Sequence, residues 1–202
     1  MILVLIFFSK AAISCSCSAG SIVENWNKYE HIYLAKAKAV YITETGNYEQ
    51  NISGNRLGEL QVLNIYKGFA ASPYLESSDA GLSCEMSIRE GKDYFVFSNG
   101  EQKVHYSTCS PTRVKDHFPQ FSTILQNLKN GNPLITLNGR WDDKKKELIL
   151  ESTKKVIKLL NASAVGYGDN KTYDISFTAF KLENGEIFAV ELVNVVPVDE
   201  KS

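Results

Sequence analysis

Ser14-Cys15-Ser16-Cys17-Ser18 is the stretch on which the reading of this chain turns. It holds two of the four cysteines, and the other two, Cys84 and Cys109, lie far downstream in a strand-rich region. A Cys15–Cys17 bond would close a small, strained ring. The two pairings that remain both tie the N-terminal pair to Cys84 and Cys109, and the residues alone do not choose between them. By loop entropy each bond contributes at most about 4 kcal/mol. A chain end pinned to a β core in this way presents an amine, a carbonyl and one small side chain to a partner.

What precedes the cysteines supports that picture. Met1-Ile-Leu-Val-Leu-Ile-Phe-Phe8 is continuously apolar. It is shorter than the ~20 residues a helix needs to cross a bilayer. It has the length of a signal-peptide core, and Ala12-Ile13-Ser14 sets small residues at the −3 and −1 positions of a cleavage site. Residues 1–14 are therefore expected to be a signal peptide and Cys15 the mature N-terminus. No basic residue precedes the run, and Lys10 follows it; the competing reading is a buried first strand. A cysteine directly after a cut also fits lipoprotein processing, in which that Cys is acylated. Export places the chain in an extracellular, periplasmic or cell-surface compartment, where an even cysteine count signals disulfides. No metal of its own is expected. Cys-x-Cys with two isolated partners lacks paired Cys-x-x-Cys spacing, and His31, His105 and His117 do not cluster.

Composition bounds the rest. With 202 residues, 44% of them hydrophobic and 22% charged, the chain has the make-up of a folded protein with one ordinary domain and a smaller one. A formal net charge of −1 gives no reason to expect nucleic acid or an acidic membrane as a partner.

Ser21-Ile-Val-Glu24 has the spacing of a capping box and predicts a short helix to Tyr29, with Ile22, Val23 and Trp26 on one face. Ile32–Thr43 alternates as a strand. Leu57–Tyr66 predicts the next, with Leu60 and Val62, and further along Leu63 and Ile65, buried. Phe69–Glu76 is its candidate partner. Asp93-Tyr-Phe-Val-Phe97 is a short apolar strand, and Gln102–Tyr106 is expected to pair with it as a hairpin. About five strands in this span point to a small closed barrel. Pro119, Phe121, Ile124, Leu125 and Leu128 then outline a helix that Asn130-Gly131 ends. The domain boundary is set there, giving residues 15–131 and a β-rich accessory domain, 132–202. The accessory domain contains no cysteine. It reads as strands Leu134–Asn138, Leu148–Glu151, Val156–Leu160, Tyr173–Phe180 and Ile187–Val196, the last two joined through Asn184-Gly185 as a hairpin. Lys144-Lys-Lys146 reads as a solvated turn.

No phosphate loop, nucleophile elbow or His-x-x-x-His pair is present. Asp142-Asp143 and Asp199-Glu200 read as exposed carboxylates, and nothing pairs a base with a nucleophile. The chain is not expected to be an enzyme or to carry a cofactor.

Taken together, these residues resemble the netrin-like module of the tissue inhibitors of metalloproteinases, over Cys15 to Gly131. The resemblance rests on Cys15-x-Cys17 and the helix after it, the strand Ile32–Tyr41, Tyr66-Lys67-Gly68, Cys84 before Gly91-Lys-Asp-Tyr94-Phe-Val-Phe97, and Cys109-Ser-Pro-Thr112. It implies a mainly β chain with a five-stranded OB-type barrel and flanking helices. It also implies the pairs Cys15–Cys84 and Cys17–Cys109. In that family the first Cys chelates the catalytic zinc of a target endopeptidase through its α-amine and carbonyl oxygen. Carried over, Cys15 would be the chelator, and Ser16, Cys17, Leu82 and Ser83 would form the inhibitory edge. An α-amine of pKa near ~8 loses its proton cheaply at neutral pH and fits the open position of a catalytic zinc. The chain departs from the pattern at Ser18-Ala19, where an apolar-proline continuation is usual, and at Glu85, where Gly is common. It also lacks the six-cysteine C-terminal domain.

Two functions follow. One is an exported inhibitor of a zinc metalloendopeptidase, or a binder of another extracellular protein. The other is a non-inhibitory netrin-like structural or interaction module, a lipoprotein if Cys15 is acylated. Membrane association follows only from that lipid.

Overall fold

The computed structural model describes residues 18–43, 54–78, 86–166, 168–169 and 171–198. They are mainly β, with two α-helices and two sheets. Contacts divide them into two compact units, one around Tyr29–Val114, the other formed by Ser21–Lys28 with Lys115–Ser202. No described helix is long and apolar enough to cross a membrane.

The first unit is a nearly closed, barrel-like sheet. Its strands are β1 (His31–Ile42), β2 (Asn55–Lys67), β3 (Tyr74–Ser78), β4 (Asp93–Ser98), β5 (Lys103–His105) and β6 (Arg113–Val114), in the order β5-β3-β2-β1-β4-β6. All neighbours run antiparallel except β3 and β5, which are parallel with Tyr74 opposite Lys103. This corrects the expected hairpin: Gln102–Tyr106 does not pair with β4. Alternation specifies which face a strand buries but not which neighbour it joins. Here the parallel pairing sets Val104 opposite the fully buried Leu75. The turn after β4 is also drawn inward, because Ser72 Oγ bonds both Ser98 Oγ (2.7 Å) and the Glu101 carbonyl.

β1 carries the small residues Ala35 and Ala37 on its core face. They leave room for Tyr94 and Tyr106, whose rings meet edge to face at 5.3 Å and 80°. The other face of β4 is covered too: Phe95 packs near Tyr66 and Phe97 near Tyr29, at 6.3 and 5.9 Å. In β2 the expectation for Val62 and Leu63 fails, since they are 41% and 45% exposed. The register explains it. Leu34 faces Asn64 and Ala35 faces Val62, so Leu63 is the extra residue of a bulge, and a bulge re-aims the side chains beside it.

The second unit begins with α1 (Ile22–Lys28). Its capping box forms as expected: the Ser21 amide donates to Glu24 Oε2 at 2.8 Å, and the Glu24 amide donates to Ser21 Oγ at 3.1 Å. α2 (Phe121–Lys129) buries Ile124 and Leu125 and stops at Asn130, with Gly131 at φ +72°. The sheet contains β7 (Leu134–Asp142), β8 (Glu147–Leu150), β9 (Val156–Ile157), β10 (Leu159–Leu160), β11 (Thr172–Lys181) and β12 (Ile187–Pro197), in the order β10-β12-β11-β7-β8-β9. β11 and β12 form the expected hairpin, closed by Gly185 at φ +84° and by the Leu182 amide donating to Glu186 O at 2.8 Å. Trp141, Leu148, Tyr173, Ile175 and Phe177 build the core on one face of the sheet.

One carboxylate expected at the surface is inside. Asp143 is 0% exposed. Its Oδ1 accepts from Trp141 Nε1 at 3.0 Å and from Lys146 Nζ at 2.7 Å. Its partner two residues away is an indole N–H that is itself buried and needs an acceptor. The basic run is accordingly not just a solvated turn: Lys146 holds Asp143, and Lys145 reaches Asp142 at 3.3 Å.

Candidate functional site

Cys15, Ser16, Cys17, Leu82, Ser83 and Cys84 lie outside the described residues. Asp199-Glu200, taken as exposed, lies outside them as well. Of the expected site, Cys109 is described, and it is not a free thiol. The segment that carries it shows how this part of the barrel is built.

Ser107-Thr-Cys-Ser-Pro-Thr112 makes a tight turn between β5 and β6. The Ser110 amide donates to Ser107 O at 3.2 Å, and Ser110 Oγ donates to the same carbonyl at 3.0 Å. The Cys109 amide donates to Ser107 Oγ at 3.3 Å. Hydroxyls that bond nearby backbone in this way rigidify short turns. Pro111 adds a fixed φ. The turn is anchored at its end by Thr112, which is fully buried and whose Oγ1 accepts from the Phe97 amide of β4 at 3.4 Å.

Arg113 holds the turn from the other side. Its guanidinium donates to three carbonyls: Thr112 O at 2.8 Å, Thr108 O at 3.4 Å, and Ser110 O. The planar fork of five N–H donors suits such a cluster of acceptors. Burial pulls the Arg113 pKa below its ordinary value, with the Tyr106 ring hydroxyl acting in the opposite direction. Arginine is still charged at any physiological pH. Sequence reasoning passed over this residue, because a lone Arg after Cys-Ser-Pro-Thr has no motif. The turn itself brings the carbonyls of residues one, three and five positions upstream to it.

Beside the turn lies a cleft of about 290 Å³. Tyr29, Phe97, Val104 and Pro111 supply its apolar walls, and Glu101 and His105 its polar ones. Nothing in it pairs a nucleophile with a base. Tyr106 is buried, and its pKa is pushed up to about 12 by that burial, so it remains a neutral phenol. No group of three or more metal-ligating side chains occurs among the described residues. The arrangement is a cleft of mixed polar and apolar lining beside the turn that carries Cys109.

A second rigid point closes the β1–β2 end. Lys67 Nζ donates to Tyr29 O at 2.7 Å, and the Phe69 amide donates to His31 Nδ1 at 3.3 Å. Between them Gly68 has φ +61°, and a Cβ there would collide with His31 Nδ1 and Glu30 O. The Tyr66-Lys67-Gly68 strand end was legible in the sequence. The role of the buried His31 as the acceptor that fixes it was not.

No family model and no curated protein matches the chain.

Proposed function

We propose that the chain is an exported netrin-like binding protein of the metalloproteinase-inhibitor type. In this reading the mature N-terminus is Cys15, and its free amine and carbonyl oxygen occupy the open position of a target protease zinc. Ser16, Cys17, Leu82 and Ser83 form the contact edge around it. Cys15 pairs with Cys84 and Cys17 with Cys109. The chain performs no chemistry of its own and needs no cofactor.

The observation that carries the reading is the strand path. β1, β2 and β3 run as a meander, β4 joins β1 antiparallel, and β5 returns to lie parallel with β3. That path suits a five-stranded, partly open OB-type barrel, with β6 a two-residue extension beside β4. The absence of a free thiol at Cys109 is compatible with its assigned pair. The turn locked by Arg113 supports the physical logic of an inhibitor. A segment already ordered before binding loses little further conformational entropy on binding.

The deciding atom is the Cys15 nitrogen. Intact-mass analysis of the secreted protein should give a chain beginning at an unmodified Cys15. Adding one Ala before Cys15 should then abolish inhibition of a zinc endopeptidase and leave the thermal melt unchanged. A lipid mass on Cys15 would instead establish the anchored, non-inhibitory module. Inhibition that survives the added Ala would refute chelation.

A further inference from the structure

We infer that the outer face of the second sheet is a binding site for a neutral, hydroxyl-rich ligand of the oligosaccharide class, centred on the cross-strand row Asn138–Ser176–Asn194. The inference is independent of the inhibitor reading and concerns residues that reading does not use.

Three observations meet at this place. The first is a cleft of about 520 Å³, a size typical of small-ligand sites, on the face opposite the Trp141 core. Ser176 of β11 stands opposite Asn138 of β7 on one side and Asn194 of β12 on the other. Strands in a sheet lie about 4.8 Å apart, so the three side chains form a ladder at that interval.

The second observation is that the ladder serves nothing within the protein. None of the three side chains hydrogen-bonds another described residue. Asn is among the residues depleted from strands, yet two stand inside strands of this sheet with no intramolecular bond in return. Local choices that disfavour the fold without an evident structural gain are where function is expected.

The third is the backbone. β12 carries a register shift at this row: Ser176 faces Asn194 while Phe177 faces Leu192, which leaves Val193 as the extra residue. Bulges of this kind bend a strand and recur beside functional sites. On the far side, Gly139 of β7 lies so close to β8 that a Cβ would sit 2.5 Å from Ile149 O. Bulge and glycine flank the same ladder, and both permit curvature that a regular strand resists.

The chemistry selects the ligand class. An amide or a hydroxyl both donates and accepts, as do the hydroxyls of a sugar. The charged side chains around the ladder balance: Arg140 and Lys154 against Asp174 and Glu151. Arg140 Nε and Asp174 Oδ1 are already paired at 3.2 Å. A site for an anion or a cation would show an excess of one sign, and this one does not. Ile149 and Val196, both exposed, add aliphatic surface for the C–H faces of a ring.

The test is an NMR titration of the full mature chain with cellotriose, chitotriose and mannotriose, and with a sulfated oligosaccharide and inorganic phosphate as charged probes. A neutral trisaccharide should shift the amides of residues 138, 176 and 194 saturably. Asn138→Ala with Asn194→Ala should weaken that binding about tenfold or more, the loss of two hydrogen bonds, at an unchanged melting temperature. Both residues are exposed, so folding is not at risk. Shifts from the charged probes alone, lost at high salt, would overturn the inference in favour of an ion site. Silence from all three neutral sugars, or binding indifferent to the double substitution, would overturn it outright.

Discussion

β4 and β11 each lie in the middle of a sheet, and they are built differently. In β4, every residue from Tyr94 to Ser98 is buried. Tyr94 and Val96 face the barrel core, while Phe95 and Phe97 are met on the other side by Tyr66 and Tyr29. In β11, the buried Tyr173, Ile175, Phe177 and Ala179 alternate with Asp174, Ser176 and Thr178. A strand covered on both faces reads as a continuous apolar run, and one with a solvated face alternates. The comparison shows where each unit has surface to spare. Around β4 the barrel has no strand surface to spare, and its candidate site sits on the turn around Cys109. The second sheet offers the part of its outer face around Asn138 and Asn194, beyond the stretch at Thr178 and Glu191 that is covered.

That contrast is open to attack by matched truncation. Tyr94→Ala should destabilise the protein by about 4 kcal/mol, because a large buried ring is lost and the barrel cannot collapse around the gap. The Arg89 amide, which donates to the Tyr94 hydroxyl at 2.9 Å, also loses its partner. Ser176→Ala, its counterpart on β11, should stay within about 0.5 kcal/mol. Urea unfolding followed by circular dichroism measures both. Comparable losses at the two sites would mean that the second sheet's outer face is packed, not free.

A smaller effect is expected from Gly139→Ala, about 2 kcal/mol, since the new methyl meets the Ile149 carbonyl and β8 must shift. The same unfolding experiment checks it. A neutral result would remove the close approach of β7 and β8 as a cause of the sheet's curvature.

The smallest effect is a pH dependence where α1 is tied onto that outer face. Glu191 of β12 stands opposite Thr178, accepts from the Ser21 hydroxyl and the Val23 amide of α1, and faces Glu24. Its Oε2 has no partner among the described residues. Burial holds its pKa above the ordinary 4.5, Glu24 adds to that, and the two hydrogen bonds pull the other way without prevailing. A raised carboxyl pKa means the folded state favours the proton. The stability this contributes is full below 4.5 and is lost as pH rises through the folded-state value. Glu191→Gln, which cannot ionise, should therefore gain on the wild type as pH rises from below 4.5 to neutral. Denaturation midpoints at each pH give the difference, and a constant difference would refute the assignment.

The elements themselves were readable in advance because their signals are local. The Ser21–Glu24 capping box, the α2 stop at Asn130-Gly131 and the Asn184-Gly185 hairpin each depend on a few adjacent residues. Four of the five expected strands of the second sheet emerge at nearly their expected places for the same reason, whereas the expected Val156–Leu160 is split into β9 and β10, which join opposite edges of the sheet. Residues 1–14, Cys15 and Leu82–Ser83, the positions on which the proposed function rests, lie outside the described residues. What stayed hidden at short range was side-chain geometry that no motif encodes. Arg113 has no motif, yet it binds three carbonyls. Asp143 resembles a turn residue, yet it serves the Trp141 indole from a fully buried position.

The sequence by itself determined the β character, the helix ends and the turns, because propensity, capping and alternation act over short stretches of chain. Only the tertiary structure decided that β5 joins β3 and not β4, that Leu63 bulges outward, and that Asn138, Ser176 and Asn194 stand in one row. Each of these is a pairing between residues far apart in the chain, and a side-chain period of two residues names a face without naming a neighbour.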